Sequence, residues 1–163
     1  MRIYEWVWST LRLESGLFAD LITPDGTVDR TIWSYNQGSV IGAGVLLHQA
    51  TGDATYLAQS RQVAEASLDR FDRPSALATQ PPAFVAIYLR NLLLIAQSAP
   101  CDDYTTLAEG YAEHLWTRCL DRSTGLIAFR SSSSVNTTAP AIAVEAMLAG
   151  SARALNRLRP DTS

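Results

Sequence analysis

Six segments of this chain show helical hydrophobic periodicity, and they alternate between two kinds. Segments with a single apolar stripe lie at 1–13, 54–71 and 103–120, and segments apolar on most sides lie at 36–50, 82–98 and 138–156. A helix that is apolar all round must be surrounded by other elements, whereas a helix with one stripe lies at a surface. The alternation predicts an all-α fold of antiparallel helical hairpins, with alternating outer and inner helices.

No strand pattern is convincing, and a helical solenoid is the competing architecture, although its two helix types usually differ less. In the first segment, the spacing predicts that one stripe faces the core. Its members are Ile3, Trp6, Val7 and Leu11.

The connections between the segments also alternate. The inner-to-outer links at 51–53 and 99–102 are short, whereas the outer-to-inner links at 14–35, 72–81 and 121–137 are long. In a hairpin array all the long links fall at one end of the helices. Long loops on a rigid scaffold are where binding sites usually lie, so we expect a site at that end.

Aromatic and amide side chains are concentrated at the end of the first long link. They are Trp33, Tyr35, Asn36 and Gln37. Aromatic faces pack on the C–H surfaces of sugars, and amides both donate to and accept from hydroxyl groups. The alternative is that Asn36 caps the second helix while Trp33 and Tyr35 belong to the core. Asp25 and Asp29 lie in the same link and could face a polyol, although Pro24-Asp25-Gly26 also favours a turn.

A longer unit contains these residues. It runs through Trp33-Ser34-Tyr35-Asn36-Gln37-Gly38, then Ile41-Gly42-Ala43, then Thr51-Gly52-Asp53 and Tyr56-Leu57. This unit resembles glycoside hydrolase family 76, the endo-α-1,6-mannanases and their cell-wall relatives. The resemblance implies an (α/α)6 barrel of twelve helices. We therefore expect residues 1–163 to form a single partial domain, the C-terminal half of such a barrel.

The resemblance also implies a mannan-type carbohydrate ligand at the mouth of the central cleft. The substrate-binding residues that we predict are Trp33, Tyr35, Asn36 and Gln37 of this unit, together with Asp29 of the first long link. Members of the family carry an adjacent aspartate pair that serves as nucleophile and general acid/base. That pair belongs upstream of Tyr35, whereas Asp102 and Asp103 come downstream, at the start of an outer helix.

Capping and interaction with the helix dipole are therefore the expected roles of Asp102 and Asp103, and Asp53 is expected to be an N-cap after Gly52. No catalytic residue is assigned. Two functions remain open: a hydrolase-like fragment that is inactive alone, or a non-catalytic carbohydrate-binding or scaffold protein. An isolated half barrel would leave inner helices uncovered, which predicts a homodimer or an N-terminal partner that completes the barrel.

No cofactor or metal is expected, because the histidines and cysteines show no ligand spacing. Cys101 and Cys119 would lie roughly 27 Å apart along one helix, too far for a disulfide. A net charge of −3 gives no basic footprint for nucleic acid. No run is long enough to cross a membrane. No secretory signal follows Met1, although the family is usually secreted or cell-wall associated, so localisation stays open.

Overall fold

The computed structural model describes residues 2–127, which form helical hairpins. The helices are α1 (Arg2–Thr10), α2 (Ser34–Thr51), α3 (Ala54–Arg70), α4 (Pro74–Leu77), α5 (Pro82–Ala96) and α6 (Asp102–His114), and a π-helical turn over Leu115–Cys119 continues α6. The predicted all-α class is confirmed. The predicted helix over 138–156 lies outside the described residues.

Two short antiparallel β-hairpins interrupt this helical order. Strand β1 (Leu21–Ile22) pairs with β2 (Val28–Asp29), and β3 (Leu120–Asp121) pairs with β4 (Leu126–Ile127). The expectation of no strands was wrong in this detail, because two-residue strands are too short to show alternation. Among residues 2–127, no helix combines the length and the apolar character that crossing a membrane would need.

Helix α2 lies at the centre and packs against both α5 and α3. Its glycines make this close approach possible. A Cβ atom on Gly38 would lie 2.6 Å from the Tyr88 Cα of α5, and one on Gly44 would lie 2.2 Å from the Ser60 Oγ of α3. On the same helix, Ile41 and Val45 are fully buried. The inner position predicted for this helix therefore depends on small residues as much as on large apolar ones.

The single stripes predicted for α3 and α6 are confirmed. On α3, Tyr56, Val63, Ala64 and Phe71 are buried, and on α6 and its π turn, Tyr104, Leu107, Ala108, Tyr111 and Leu115 are buried. The stripe of α3 also contains the buried hydroxyl of Ser67. Its Oγ lies 2.9 Å from the hydroxyl of Tyr88 on α5 and forms a hydrogen bond with it. This pair satisfies two polar groups inside the core.

Helix α1 faces the core with only half of its predicted stripe, because Val7 and Leu11 pack against the core and the other two residues do not. Ile3 is 80% exposed and Trp6 is 51% exposed, so their assignment to the core was wrong. The packed side of α1 is one residue further round: Tyr4 is buried, 5.5 Å edge-on from the ring of Tyr56 and stacked on Trp8. Tyr4 and Trp8 lie outside the predicted stripe, so the aromatic contacts of this helix were not predicted.

The short links close with local hydrogen bonds. Gly52 adopts φ 75° and its N–H donates to the carbonyl of His48, which ends α2. The Asp53 carboxylate accepts from Thr55 N at 2.8 Å, so its predicted N-cap role is confirmed. Helix α6 differs from expectation, because its N-cap is Cys101 and makes no side-chain bond. Asp102 and Asp103 lie in the first turn, where the helix dipole favours negative charge.

Candidate carbohydrate site

Residues 17–20, which we call the strap, are bound to α2 by the side chain of Gln37. Phe18 N donates to Gln37 Oε1 at 2.8 Å, and Gln37 Nε2 donates to the carbonyl oxygens of Phe18 and Trp33, both at 3.0 Å. Gln37 has 0% exposure. Its amide thus pairs with the Phe18 main chain as a neighbouring strand would. This pairing fixes the main chain two residues before Asp20.

The strap places Asp20 beside two of the predicted site residues. The Tyr35 hydroxyl donates to Asp20 Oδ1 at 2.6 Å, and Asn36 Nδ2 donates to the same oxygen at 3.1 Å. Burial and the hydrogen bond to Asp20 raise the pKa of Tyr35 to about 12, so the phenol remains a donor at neutral pH. Helix α2 begins at Ser34 with Trp33 as its N-cap, which excludes Asn36 as the cap.

Aromatic rings from two inner helices meet at this end. Phe84 of α5 lies 5.5 Å from the Trp33 ring and 4.4 Å from the Tyr35 ring, centroid to centroid. The two long links are also joined directly, because Ser34 N donates to Gln80 Oε1 at 3.0 Å. Trp33 and Tyr35 remain partly exposed. They therefore combine packing on Phe84 with ring surface that a ligand can reach.

Asp29 lies at the base of the β1–β2 hairpin, next to the strap. Its carboxylate accepts from the amide and the hydroxyl of Thr31 at 2.9 and 2.7 Å, and these bonds lower its pKa. Its carbonyl accepts from Asp20 N at 2.9 Å. Pro24, Asp25 and Gly26 form the turn at the hairpin tip, with Gly26 at φ 87°, as their sequence favours.

An open groove of about 480 Å³ starts at this site and runs between α1 and α2. Its polar end is formed by Asp20, Tyr35, Asn36 and Ser39. Its remaining length is apolar and is lined by Ile3, Tyr4, Val7, Leu11, Phe18, Ala19, Val40, Ala43 and Leu47. The groove explains the exposure of Ile3, which projects from α1 onto a face that no described residue covers.

Sequence reasoning missed two members of this site. Asp20 has no periodic or motif signal, and its importance follows only from its bonds to Tyr35 and Asn36. Phe84 belongs to the inner helix predicted at 82–98, and nothing in that pattern indicates its contact with Trp33. Within residues 2–127, no group of three or more His, Cys, Asp or Glu side chains is placed to hold a metal ion.

Paired helices whose inner members begin at one aromatic and polar end form a helical-hairpin fold with a candidate site at that end. Residues 1–156 match the model of glycosyl hydrolase family 76, and the chain belongs to this family. No curated protein matches the chain.

Solved structures share this fold. A Listeria innocua protein has a TM-score of 0.80 at 22% identity, covering 100% of this chain and 50% of its own. An α-mannanase of Bacteroides thetaiotaomicron has a TM-score of 0.75 at 22% identity, with 96% and 45% covered. An inactive Salegentibacter α-1,6-mannanase variant, with two consecutive aspartates replaced and α-1,6-mannotetrose bound, has a TM-score of 0.64 at 24% identity, with 96% and 50% covered.

At these identities the likeness shows a common fold. The chain spans about half the length of these solved structures.

Proposed function

We propose that this chain forms the substrate-holding part of a mannan-binding glycoside hydrolase site. The observation that carries the proposal is the convergence of Tyr35 and Asn36 on Asp20 at the polar end of the open groove, with the partly exposed Trp33 ring beside Tyr35 across Phe84. Partly exposed rings beside amide and carboxylate groups are suited to the C–H faces and hydroxyls of a sugar. The Salegentibacter relative, with α-1,6-mannotetrose bound, supports α-1,6-linked mannose as the ligand.

We further propose that the chain binds this ligand without cleaving it. Asp102 and Asp103 are the only adjacent aspartates in the sequence. They follow the C-terminal end of α5, whereas Phe84 lies at its N-terminal end, and the helix separates them by about 20 Å. Retaining hydrolysis needs two carboxylates at the anomeric carbon, so this pair is out of reach. The catalytic pair of the family would come from outside these residues.

The test is calorimetric titration with α-1,6-mannotetraose, together with a hydrolysis assay on α-1,6-mannan. We expect binding without product, and we expect Trp33→Ala to weaken binding by about tenfold, since stacking on one aromatic ring contributes roughly 1–2 kcal/mol. Trp116→Ala is the matched control, because Trp116 is 62% exposed and, unlike Trp33, does not pack on the Phe84 ring beside Tyr35. Hydrolysis that Asp102→Asn or Asp103→Asn abolishes would refute the assignment.

A non-catalytic carbohydrate-binding or scaffold protein is the second candidate. Among residues 2–127, Asp20 meets Tyr35 and Asn36 with no adjacent aspartate pair beside them, which supports this candidate. An experiment distinguishes the two candidates: the half of a related mannanase that this chain does not match is supplied in trans. Restored hydrolysis indicates part of an enzyme, whereas unchanged binding without turnover indicates a binding protein.

We also propose that another helical unit covers the groove between α1 and α2, either a second copy of the chain or an N-terminal partner. The groove is apolar along most of its length, and the chain spans half of its solved relatives. Such exposed apolar surface marks an interaction site. Sedimentation at micromolar concentration tests this: a dimer that Ile3→Arg dissociates and Trp116→Arg leaves intact supports a second copy.

A monomer that gains stability only with the other half supports an N-terminal partner. A monomer that melts cooperatively, and whose stability changes neither with its own concentration nor with the other half, would contradict the proposal.

A further inference from the structure

The carboxylate of Asp20 is held in one orientation by neutral donors. The bonds from Tyr35 and Asn36 both end on Oδ1, so Oδ2 takes part in neither of them. The main chain is fixed as well, because Gln37 binds Phe18 at both its N–H and its carbonyl, and Asp20 N donates to the Asp29 carbonyl. The free side of this carboxylate therefore has a defined position at the groove.

Among residues 2–127, no cationic side chain forms an ion pair with Asp20. Within residues 2–127, the one ion pair joins Arg73 to Asp72 on the surface. Asp20 is partly buried and lies at the end of a groove that is otherwise mostly apolar. Removing a carboxylate from water is unfavourable unless hydrogen-bond donors replace the lost water. Oδ1 has two such donors, whereas Oδ2 has none among residues 2–127, so a ligand that enters the groove can supply them.

We propose that Asp20 contacts the ligand directly and that Oδ2 accepts hydrogen bonds from hydroxyl groups of a neutral sugar residue. The inference rests on the proposed function and names Asp20 as the group that discriminates between neutral and acidic sugars. A hydroxyl that donates to a carboxylate makes a stronger bond than one that donates to a neutral acceptor. The same charge repels a carboxylate on the ligand, so the site selects neutral hexoses over uronic acids.

In this arrangement Tyr35 and Asn36 are positioning residues for Asp20. Their donors hold Oδ1, which turns Oδ2 toward the groove, and the Phe84 ring holds Tyr35 in place. Replacing Tyr35 by phenylalanine keeps the ring contact but removes one of the two bonds to Asp20. Its effect on binding should therefore be smaller than that of a change at Asp20 itself.

The test compares binding of α-1,6-mannotetraose by wild type, Asp20→Asn and Asp25→Asn. Asparagine has the shape of aspartate and keeps an acceptor for Tyr35, so the fold should persist. We expect Asp20→Asn to weaken binding by about tenfold, because hydrogen bonds to charged groups are roughly this much stronger. Asp25→Asn, on the exposed hairpin tip, should leave affinity unchanged.

Monodeoxy analogues of the oligosaccharide separate direct contact from positioning. Removing the hydroxyl that Asp20 binds should weaken binding to wild type, but it should cause no further loss in Asp20→Asn. If wild type binds the sugar and Asp20→Asn binds it equally well, or if every deoxy analogue loses the same affinity in both proteins, Asp20 does not touch the ligand. If wild type binds no mannooligosaccharide, the proposed function fails, and this inference fails with it.

Discussion

The links at the two ends of the inner helices are fixed by different kinds of hydrogen bond. At one end, which we call the turn end, Gly52 and Asp53 close the link with bonds to residues two to four positions away. At the other, the loop end, Gln37 binds Phe18 across 19 residues and Gln80 accepts from Ser34 across 46. Both ends satisfy the free main-chain groups of helices, but only the loop end does so with distant parts of the chain.

This difference shows where a site can form. Local caps leave little room for converging side chains, because each cap uses its own neighbours. Non-local bonds bring together segments that are separate in sequence, and at the loop end they collect Asp20, Tyr35 and Phe84. The site therefore arises from the same contacts that hold the long links in place.

The largest expected effect is at Gln37. We expect Gln37→Met to lower the free energy of unfolding by about 4 kcal/mol, because it leaves the buried N–H and carbonyl of Phe18 without partners. Urea denaturation measures the loss. The control is Gln49→Met, the same change on the exposed face of α2 near the turn end, which should stay within about 0.5 kcal/mol of wild type. Equal losses at both positions would remove the distinction between the ends.

A second, smaller difference concerns two glycines of the α2 region. Gly38→Ala should destabilise by roughly 2–3 kcal/mol, since its methyl group would meet the Tyr88 main chain, which cannot rotate away. Gly52→Ala meets nothing within 4 Å but must adopt φ 75°, so about 1 kcal/mol is expected. Thermal melts of both variants give the order. A larger loss at Gly52 would mean that backbone conformation limits stability more than close packing.

The smallest expected effect is a difference in pH response. The folded-state pKa of Tyr35 is raised from 10.0 to about 12, so its stabilising contribution is complete below pH 10 and is lost as pH rises through 12. Hydrogen bonds from Thr55 lower the pKa of Asp53, so its contribution is present above the usual range of aspartate and is lost as pH falls through the lowered value. Comparing unfolding of wild type, Tyr35→Phe and Asp53→Asn across pH measures both.

Relative to wild type, Tyr35→Phe should be less sensitive to alkali and Asp53→Asn less sensitive to acid. The opposite pattern would show that these two groups do not govern the pH response of their ends.

Sequence alone predicted the turn end better than the loop end. Helix α3 shows a clear stripe, and its start at Asp53 follows from a residue type that caps helices by contacts with its own neighbours. Gln37 gives no such signal, because nothing in the sequence says which distant main chain a buried amide will bind. Its partner is 19 residues away. The candidate site residues were predicted from their type and from the resemblance, whereas Asp20, which bonds to Tyr35 and Asn36, was not predicted.

Helix α1 shows a further limit of pattern reading. Ile3 and Trp6 have the spacing of a core stripe, yet both are largely exposed while Tyr4 is buried. Periodicity finds the apolar side of a helix, but a helix with apolar residues over more than half its circumference offers two sides. Only the position of its neighbours decides which side packs.

The fixed base of the β1–β2 hairpin has a consequence for how this protein can diversify. The strap is held by Gln37, and Asp20 is tied to Asp29, so the position of Asp20 does not depend on the length of the hairpin. The tip at 24–27 is exposed, and exposed loop tips accept insertions readily. Extra residues there would extend the exposed surface while the Asp20 carboxylate stays at the groove. One short stretch of chain thus combines an exposed tip that can lengthen with a carboxylate whose position is fixed.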